Sequence, residues 1–135
     1  MITATRVLEF DAGHRLIGHE SKCAHYHGHR YRVEVEVEAE LDAVGRVMDF
    51  GVIKQIVGQW LDDHWDHAMV LQDGDALIPL LKAQGMKHHV LAFPPTAENM
   101  ARFILHLANR LLLGRVRIVR VRVWETPNCF AEVAP

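Results

Sequence analysis

The sequence predicts an α+β fold in which helices pack on one face of an antiparallel sheet. Two segments, near residues 30–41 and 115–125, alternate apolar and polar residues as half-buried strands do. Two others, near 51–64 and 97–113, repeat apolar residues at the spacing of amphipathic helices. The resulting order of strands and helices is typical of a single α+β domain, which we expect to span residues 1–135.

The composition indicates an ordinary globular protein. Of the 135 residues, 50% are hydrophobic and 24% are charged, which excludes a disordered chain. The 15 lysines and arginines nearly balance the 17 aspartates and glutamates, so the charge gives no reason to expect a nucleic-acid partner. No apolar run is long enough to span a membrane, and residues 1–6 lack the apolar core of a signal peptide. Since Cys23 and Cys129 do not make a disulfide framework, we expect a cytoplasmic protein with reduced thiols.

The strand near residues 30–41 is the clearest element. An earlier strand is expected over residues 3–11, although its alternation is poor. The apolar positions of the clear strand are Tyr31, Val33, Val35, Val37, Ala39 and Leu41. Continuing this alternation backwards places His27 and His29 on the core-facing side, so two imidazoles project together from the start of the strand.

Two of the expected helices follow this strand. The first spans residues 51–64, and Asp49 is suited to cap its N-terminus. The second, shorter one spans 75–84, with Gly85 suited to its C-terminal cap. Pro79 argues against an uninterrupted helix there, because proline lacks a backbone donor.

A third helix and a final strand complete the chain. The helix covers 97–113, with Thr96 as its N-cap and Gly114 as its stop. In the strand over 115–125, one side carries Val119, Val121 and Val123 and the other carries Arg120 and Arg122. Glu125 shares the valine side, so its carboxylate starts toward the interior.

Rows of opposite charge mark the polar sides of two strands. The second strand carries glutamates at 34, 36, 38 and 40, and the last strand carries the two arginines. These rows have two equally good explanations. They are either two solvated faces, or parts of a sheet that neighbouring subunits continue into a ring with a polar lumen. Unpaired strand edges favour such continuation.

A group of histidines near residue 27 predicts a metal site. His27 and His29 share the core-facing side, and His14 lies upstream. Burying imidazoles without partners costs free energy, and a metal ion supplies the partner. Neutral imidazole is the commonest protein ligand of zinc, and three such ligands leave a fourth position open. We therefore expect Zn²⁺ on His14, His27 and His29.

Cys23, four residues before His27, has two interpretations. As a fourth ligand it would close the zinc shell, which is typical of structural sites. As a non-ligand nearby it would act as a general acid and base, with positive charge lowering the pKa of its thiol. The sequence favours neither interpretation of Cys23. Cys129 has no comparable neighbours and is expected to pack as a small side chain.

Two other histidine pairs compete as metal sites. His64 and His67 are three residues apart, but His64 is better explained as a partner of the helix C-terminus. His88 and His89 are adjacent, and neighbours on a strand point to opposite faces, so we interpret them as surface residues.

Two further features supply acid–base and recognition groups. Asp66 directly precedes His67, and an aspartate can orient an imidazole for proton transfer. Glu125 is either a strand-end carboxylate turned to water or an acceptor that faces a pocket. In the second case it can accept paired hydrogen bonds from a guanidine-like heterocycle edge.

Six ordered motifs resemble the 6-pyruvoyltetrahydropterin synthase / 6-carboxytetrahydropterin synthase family. They are Phe10-Asp11-Ala12-Gly13-His14-Arg15-Leu16, the segment from Cys23 to His29, Met48-Asp49-Phe50, Asp66-His67, Pro95-Thr96-Ala97-Glu98-Asn99 and Trp124-Glu125-Thr126. The spacing of three residues between Cys23 and His27 is similar to that in the bacterial carboxy-type enzymes of queuosine precursor synthesis. The chain departs from the family pattern at Trp65 and in a longer segment over 68–95.

The resemblance implies the tunnelling fold, in which sheets of several subunits join into a barrel with active sites at subunit interfaces. The implied substrate is 7,8-dihydroneopterin triphosphate. It is converted to 6-carboxy-5,6,7,8-tetrahydropterin, acetaldehyde and triphosphate. In this scheme zinc polarises the side-chain hydroxyls, Cys23 transfers protons, and Asp66 orients His67 as a second acid and base. Glu125, together with Glu98, holds the pterin.

Two alternatives remain at this point. Pyruvoyl-type chemistry on the same substrate would use the same residues, and a non-catalytic zinc-stabilised module would use Cys23 as fourth ligand. Basic candidates for triphosphate contact are Arg15, His19, Lys22 and His25, which solvation explains equally well.

Overall fold

The computed structural model describes residues 2–135, which contain one six-stranded sheet. Its strands are β1 (Thr3–His14), β2 (His27–Glu38), β3 (Ala68–Gln72), β4 (His88–Leu91), β5 (Arg117–Thr126) and β6 (Cys129–Val133). Their order in the sheet is β4-β3-β1-β2-β5-β6. The pairs β1–β2, β2–β5 and β5–β6 are antiparallel, whereas β3 runs parallel to both β1 and β4.

Helices connect these strands. Helix α1 covers residues 50–64 and consists of Phe50–Ile53, a wider π-helical turn over Lys54–Gly58, and Gln59–His64. Helix α2 spans Ile78–Gln84 and α3 spans Ala97–Leu111. Within the described residues, no helix is both long and apolar enough to cross a membrane.

The helix ends form as the sequence predicts. The Asp49 carboxylate accepts from the backbone N–H of Gly51 over 2.8 Å. The Thr96 hydroxyl likewise accepts from the N–H of Asn99 over 3.1 Å. Gly85 caps α2 with a φ of 65°, a left-handed conformation that favours glycine. Pro79 does not interrupt α2, because it lies in the first turn, where its missing N–H would have no partner within the helix.

The prediction of a purely antiparallel sheet is wrong at one edge. Strands β3 and β4 are parallel additions, and β6 is an extra antiparallel strand at the opposite edge. All three are only four or five residues long. A short strand that is buried on both faces shows no alternation of apolar and polar residues. The sequence pattern therefore could not identify β3 as a strand.

One face of the sheet forms the core under the helices. Even-numbered residues of β1 and odd-numbered residues of β2 point into it, as the alternation predicts. The largest fully buried side chains include Trp65, Tyr31, Phe10, Ile53, Leu61 and Met100. The predicted alternation of β5 shifts at a bulge, so Ile118 rather than Val119 is buried. Beyond the bulge, Val121 and Val123 face inward as expected.

The charged rows lie on adjacent strands and neutralise one another within the chain. Glu36 of β2 accepts from Arg120 of β5 over 2.6 Å, and Glu38 pairs with Arg117. Arg122 donates to Glu132 of β6 over 2.6 Å. Because these partners come from neighbouring strands, the rows support the sheet itself and need no second subunit to explain them.

Candidate metal and acid–base site

Three histidines converge at one end of the core. His14 ends β1, and His27 and His29 begin β2, in the antiparallel register that places His14 opposite His27. Their ring centroids lie 4.7 Å apart for His14 and His27, 5.2 Å for His14 and His29, and 4.8 Å for His27 and His29. The structure therefore brings together the three residues that the sequence groups as metal ligands.

Glu125 of β5 joins this histidine group. Its Oε1 lies 2.9 Å from Nε2 of His29 and 3.7 Å from Nε2 of His14. One ligand atom from each of the four residues lies within 4.8 Å of all the others, so the group can hold a metal ion. The two nearby imidazoles, His14 first, hold the pKa of Glu125 below its usual value, although burial acts in the opposite direction.

Backbone carbonyls orient two of the imidazoles. Nδ1 of His14 donates to the carbonyl of Pro95, and Nδ1 of His27 donates to the carbonyl of His25, each over 2.7 Å. With Nδ1 protonated, the neutral rings present bare Nε2 atoms to each other, and these two atoms lie 3.1 Å apart. Metal-ligating histidines are held in this way, because the second ring nitrogen fixes the tautomer.

His29 has a buried ring nitrogen within this group. Its Nε2 is buried and forms no hydrogen bond of standard geometry within residues 2–135, although Oε1 of Glu125 lies only 2.9 Å away. Burial lowers the pKa of His29, against the pull of Glu125, and so favours the neutral form that binds metals. The donor set of imidazoles and one carboxylate suits Zn²⁺.

Cys23 lies outside this group. It sits on the short 3₁₀ turn Lys22–Ala24 in the loop between β1 and β2, and it is half-buried. Its carbonyl accepts from the N–H of Leu16 over 2.8 Å, which closes the loop on itself. Among the described residues, the ligand set at the histidines contains Glu125 rather than Cys23. This placement favours the interpretation of Cys23 as a non-ligand.

Asp66 and His67 form a second polar group. Oδ2 of Asp66 accepts from Nδ1 of His67 over 2.8 Å, and its Oδ1 accepts from the N–H of Asp11 over 2.9 Å. Burial would raise the pKa of Asp66, but these two donors, with Lys87 nearby, hold it below its usual value.

The backbone of His67 is unusual. Its φ is 58°, the left-handed region that few non-glycine residues adopt, and the ring is 76% exposed. Its N–H donates to the carbonyl of Asp11 over 2.6 Å, which helps to hold this conformation. The ring borders a surface cavity of about 550 Å³ that is also lined by His29 and Lys87. Within one chain, His67 and the three-histidine group are separate clusters.

Glu98 is not brought to either cluster. It lies exposed in the first turn of α3, although the preceding Pro95 carbonyl reaches His14. The basic candidates also differ in setting. Arg15 is bound to the buried Asp75, whereas Lys22 and His25 are exposed.

Several residues have contacts or exposures that differ from what the sequence predicts. The hydroxyl of the fully buried Tyr31 lies 3.2 Å from Nδ1 of His14. The only sequence signal for this contact is that Tyr31 shares the inward-facing side of its strand with His27 and His29. The interpretation of His89 as a surface residue is wrong, because its Nδ1 accepts from Nε1 of Trp65 over 2.7 Å. His64 donates to the carbonyl of Trp60 at the helix end, as expected. Cys129 is exposed at the start of β6 and is not packed.

Comparisons with known proteins identify the family that the chain resembles. The sequence profile of the 6-pyruvoyl tetrahydropterin synthase family matches residues 3–135. A curated relative from Rickettsia bellii, named 6-carboxy-5,6,7,8-tetrahydropterin synthase, is 43% identical over 98% of this chain and 100% of its own.

Solved structures share the fold. An uncharacterized Wolinella succinogenes protein aligns with a TM-score of 0.87 at 23% identity, over 98% of this chain and 97% of that one. The Caenorhabditis elegans 6-pyruvoyl tetrahydropterin synthase aligns with a TM-score of 0.73 at 23% identity, over 99% and 95% of the two chains. The predicted fold of the single subunit is thus confirmed. Since the family profile covers nearly all of the sequence, the chain belongs to the 6-pyruvoyl tetrahydropterin synthase family.

Proposed function

We propose that this protein is a zinc-dependent carbon–carbon lyase. It converts 7,8-dihydroneopterin triphosphate and one water molecule to 6-carboxy-5,6,7,8-tetrahydropterin, acetaldehyde and triphosphate. The observation that carries the proposal is the convergence of three imidazoles and Glu125, whose ligand atoms all lie within 4.8 Å of one another. The name of the 43% identical relative supports the carboxy-type product over the pyruvoyl-type one.

His14, His27 and His29 would hold the zinc ion. Bound there, zinc would supply Lewis-acid polarisation of the substrate's side-chain hydroxyls. The carbonyls of Pro95 and His25 keep two of the rings oriented, so little reorganisation is needed to bind the ion. With Glu125 reserved for the substrate, a fourth position would remain for substrate or water, as is typical of catalytic rather than structural zinc.

Proton transfers fall to residues outside the metal group. Cys23 acts as general acid and base from the loop between β1 and β2, where its thiol is partly accessible. His67 is a second acid and base, and Asp66 orients its ring through the 2.8 Å hydrogen bond to Nδ1. The exposure of the His67 ring leaves Nε2 free to meet a bound molecule.

Recognition of the pterin falls to carboxylates. Glu125 is half-buried beside the histidines and can accept two hydrogen bonds from the amino group and the adjacent ring N–H of a pterin. Glu98 would assist, although it is exposed in the single chain. Such pairing leaves only the side chain of the substrate to approach the metal.

The active sites would be shared between subunits of a homo-oligomer. The tunnelling fold, which the family resemblance implies joins several subunits into a barrel, supports this arrangement. Production of the carboxy compound would place the protein in queuosine precursor synthesis in the cytoplasm.

Product analysis tests this proposal against its main alternative. The purified protein is incubated with zinc and 7,8-dihydroneopterin triphosphate, and the products are separated and identified by mass spectrometry. We expect the 6-carboxy product and acetaldehyde in equal amounts. A 6-pyruvoyl product without acetaldehyde would establish the pyruvoyl-type activity. Absence of any turnover, with zinc tightly bound, would favour a non-catalytic zinc-stabilised module.

A further inference from the structure

Asp75 is a buried carboxylate that none of the proposed chemistry uses. Only 2% of the residue is exposed, and it lies in the turn between β3 and α2. Its Oδ1 accepts from the Tyr26 hydroxyl over 2.6 Å and from the N–H of Leu77 over 2.9 Å. Its Oδ2 accepts from Nε of Arg15 over 2.9 Å. A buried carboxylate with three donors forms a rigid local network.

The two side-chain partners of Asp75 stand at both ends of one loop. Arg15 directly follows His14 at the end of β1, and Tyr26 directly precedes His27 at the start of β2. The Arg15 guanidinium also lies over the Tyr26 ring, 4.6 Å from its centroid, so the two ends contact each other. The loop between them carries Cys23.

The carboxylate is itself held from the other side. The N–H of Asp75 donates to the carbonyl of Gln72, and its own carbonyl accepts from Ile78, each over 3.1 Å. These contacts join Asp75 to the end of β3 and to the first residue of α2. The network therefore links the β1–β2 loop to a separate part of the sheet, across a sequence distance of 49 to 60 residues.

We propose that Asp75 is a positioning residue that fixes the Cys23 loop and the adjoining ends of the two metal-ligand strands. The expected effect on turnover rests on the proposed function, because it assumes that Cys23 transfers protons. The backbone hydrogen bonds of the loop, such as that from Leu16 to the carbonyl of Cys23, join loop residues to one another. The short turn of the loop contains no buried residue, and Ile17 near its start is 48% exposed. Releasing both ends from Asp75 would let the thiol move relative to the histidines.

Ionisation of Asp75 suits this role. Burial would raise the pKa of Asp75, but hydrogen bonds from Arg15 and Tyr26 hold it below its usual value. An amide at this position would keep the size of the side chain while replacing one acceptor atom with a donor that faces another donor. Asp75→Asn is therefore expected to break the network without removing volume.

The test compares Asp75→Asn with Asp73→Asn in a Cys129→Ser background. Asp73 is exposed in the same turn, so its variant is a matched control. Two readouts do not depend on activity: the rate at which iodoacetamide alkylates Cys23, and the rate at which trypsin cleaves after Lys22, identified by mass spectrometry. The third readout is the steady-state kinetics of the zinc-loaded protein with 7,8-dihydroneopterin triphosphate.

For Asp75→Asn we expect cleavage and alkylation to be at least about threefold faster, at a temperature where all variants are folded. We expect kcat to fall about 10- to 100-fold with KM changed less than about threefold, because misplacement of a catalytic group lowers turnover more than binding. Asp73→Asn should match the parent. Parental loop rates and parental kcat in Asp75→Asn would overturn the proposal.

Tyr26→Phe keeps the test decisive if Asp75→Asn does not fold. It removes one donor to Asp75 and leaves Arg15 in place, so smaller changes in the same direction are expected. Loop rates equal to the parent in this variant would then refute the positioning role. If the parent itself has no turnover, the proposed function fails, and the cleavage and alkylation rates still decide whether Asp75 fixes the loop.

Discussion

Nδ1 of His14 donates a 2.7 Å hydrogen bond to the carbonyl of Pro95, from a ring that is only 1% exposed. The contact spans 81 residues and joins the end of β1 to the segment that begins α3. It fixes the imidazole in the tautomer whose Nε2 is free to bind a metal. The bond thus connects two sequence motifs that are far apart in the chain and makes both part of one site.

We expect one zinc ion per chain, with nitrogen–metal distances of about 2.0–2.1 Å. Because each imidazole supplies one of the ligands, His27→Ala and His29→Ala should each reduce the bound zinc to below about a tenth of an equivalent. Metal analysis of the purified variants checks this, with His106→Ala, on the exposed side of α3, as control. Full zinc content in both variants would contradict the ligand assignment.

Cys23→Ala should keep the zinc and the fold but lose turnover. Removing a general acid and base costs about 10²–10⁴ in rate, while the four-residue group at the histidines does not include the thiol. Zinc content, thermal stability and kcat are measured on the same preparation, and Cys129→Ser is the control. Loss of zinc from Cys23→Ala would instead show that the thiol closes the metal shell.

Much of this site followed from strand alternation. The parity of Tyr31 and Val33 placed His27 and His29 on the inner face, and the structure confirms that placement. Alternation cannot give contacts between distant segments, so neither the Pro95 carbonyl nor the approach of Glu125 to His29 was foreseen. These contacts depend on how three strands pair and on where a helix begins.

The missed edge of the sheet has a different cause. Residues 68–72 form an apolar run too short for a period, and residues 88–91 start with two histidines that resemble surface residues. Residues 68–72 are buried by parallel pairing with β1, and residues 88–91 are partly buried by parallel pairing with β3 and by the aromatic side chains around His89. Tertiary packing, and not local propensity, decides such positions.

Glu125→Gln should weaken substrate binding about tenfold or more and leave the zinc content unchanged. The variant puts an amide donor where a pterin N–H needs an acceptor, and an unmet buried donor costs about 1–3 kcal/mol. Titration with a non-reactive pterin gives the affinity, and metal analysis gives the zinc content. Tight binding by Glu125→Gln would remove the recognition role, whereas loss of zinc would make Glu125 a ligand, as its 2.9 Å approach to His29 allows.

The protein should be an obligate homo-oligomer whose active sites combine residues of two chains. If Cys23 and His67 of one site come from different subunits, a mixture of inactive Cys23→Ala and His67→Ala chains should recover part of the parental activity after subunit exchange. One quarter of randomly mixed two-chain sites would carry neither substitution, which sets the upper bound of about 25% recovery. Sedimentation measures the oligomeric state, and an active monomer would refute the prediction of an obligate oligomer. If the mixture recovers no activity, only the sharing of Cys23 and His67 between subunits is contradicted.

His89 should make the folded state less stable as the pH falls below neutrality. Burial first, and then the neighbouring His64 and His88, lower the pKa of His89 from its ordinary value of 6.5. The unfolded chain therefore binds more protons between pH 6.5 and the lower folded pKa, and stability decreases as the pH drops through that interval. At higher pH both states are neutral at this residue and the effect is absent.

His89→Gln isolates this contribution. Its amide oxygen can accept from Trp65 Nε1, as His89 Nδ1 does over 2.7 Å, but it cannot bind a proton in this range. Urea unfolding of the zinc-loaded parent and variant is measured between pH 7.5 and 5.0, values chosen to bracket the ordinary histidine pKa. The free energy of unfolding should fall more steeply in the parent, by at most about 1.4 kcal/mol per pH unit, the limit for one proton. Parallel profiles would show that His89 titrates alike in both states, and His88→Gln serves as the control for the adjacent imidazole.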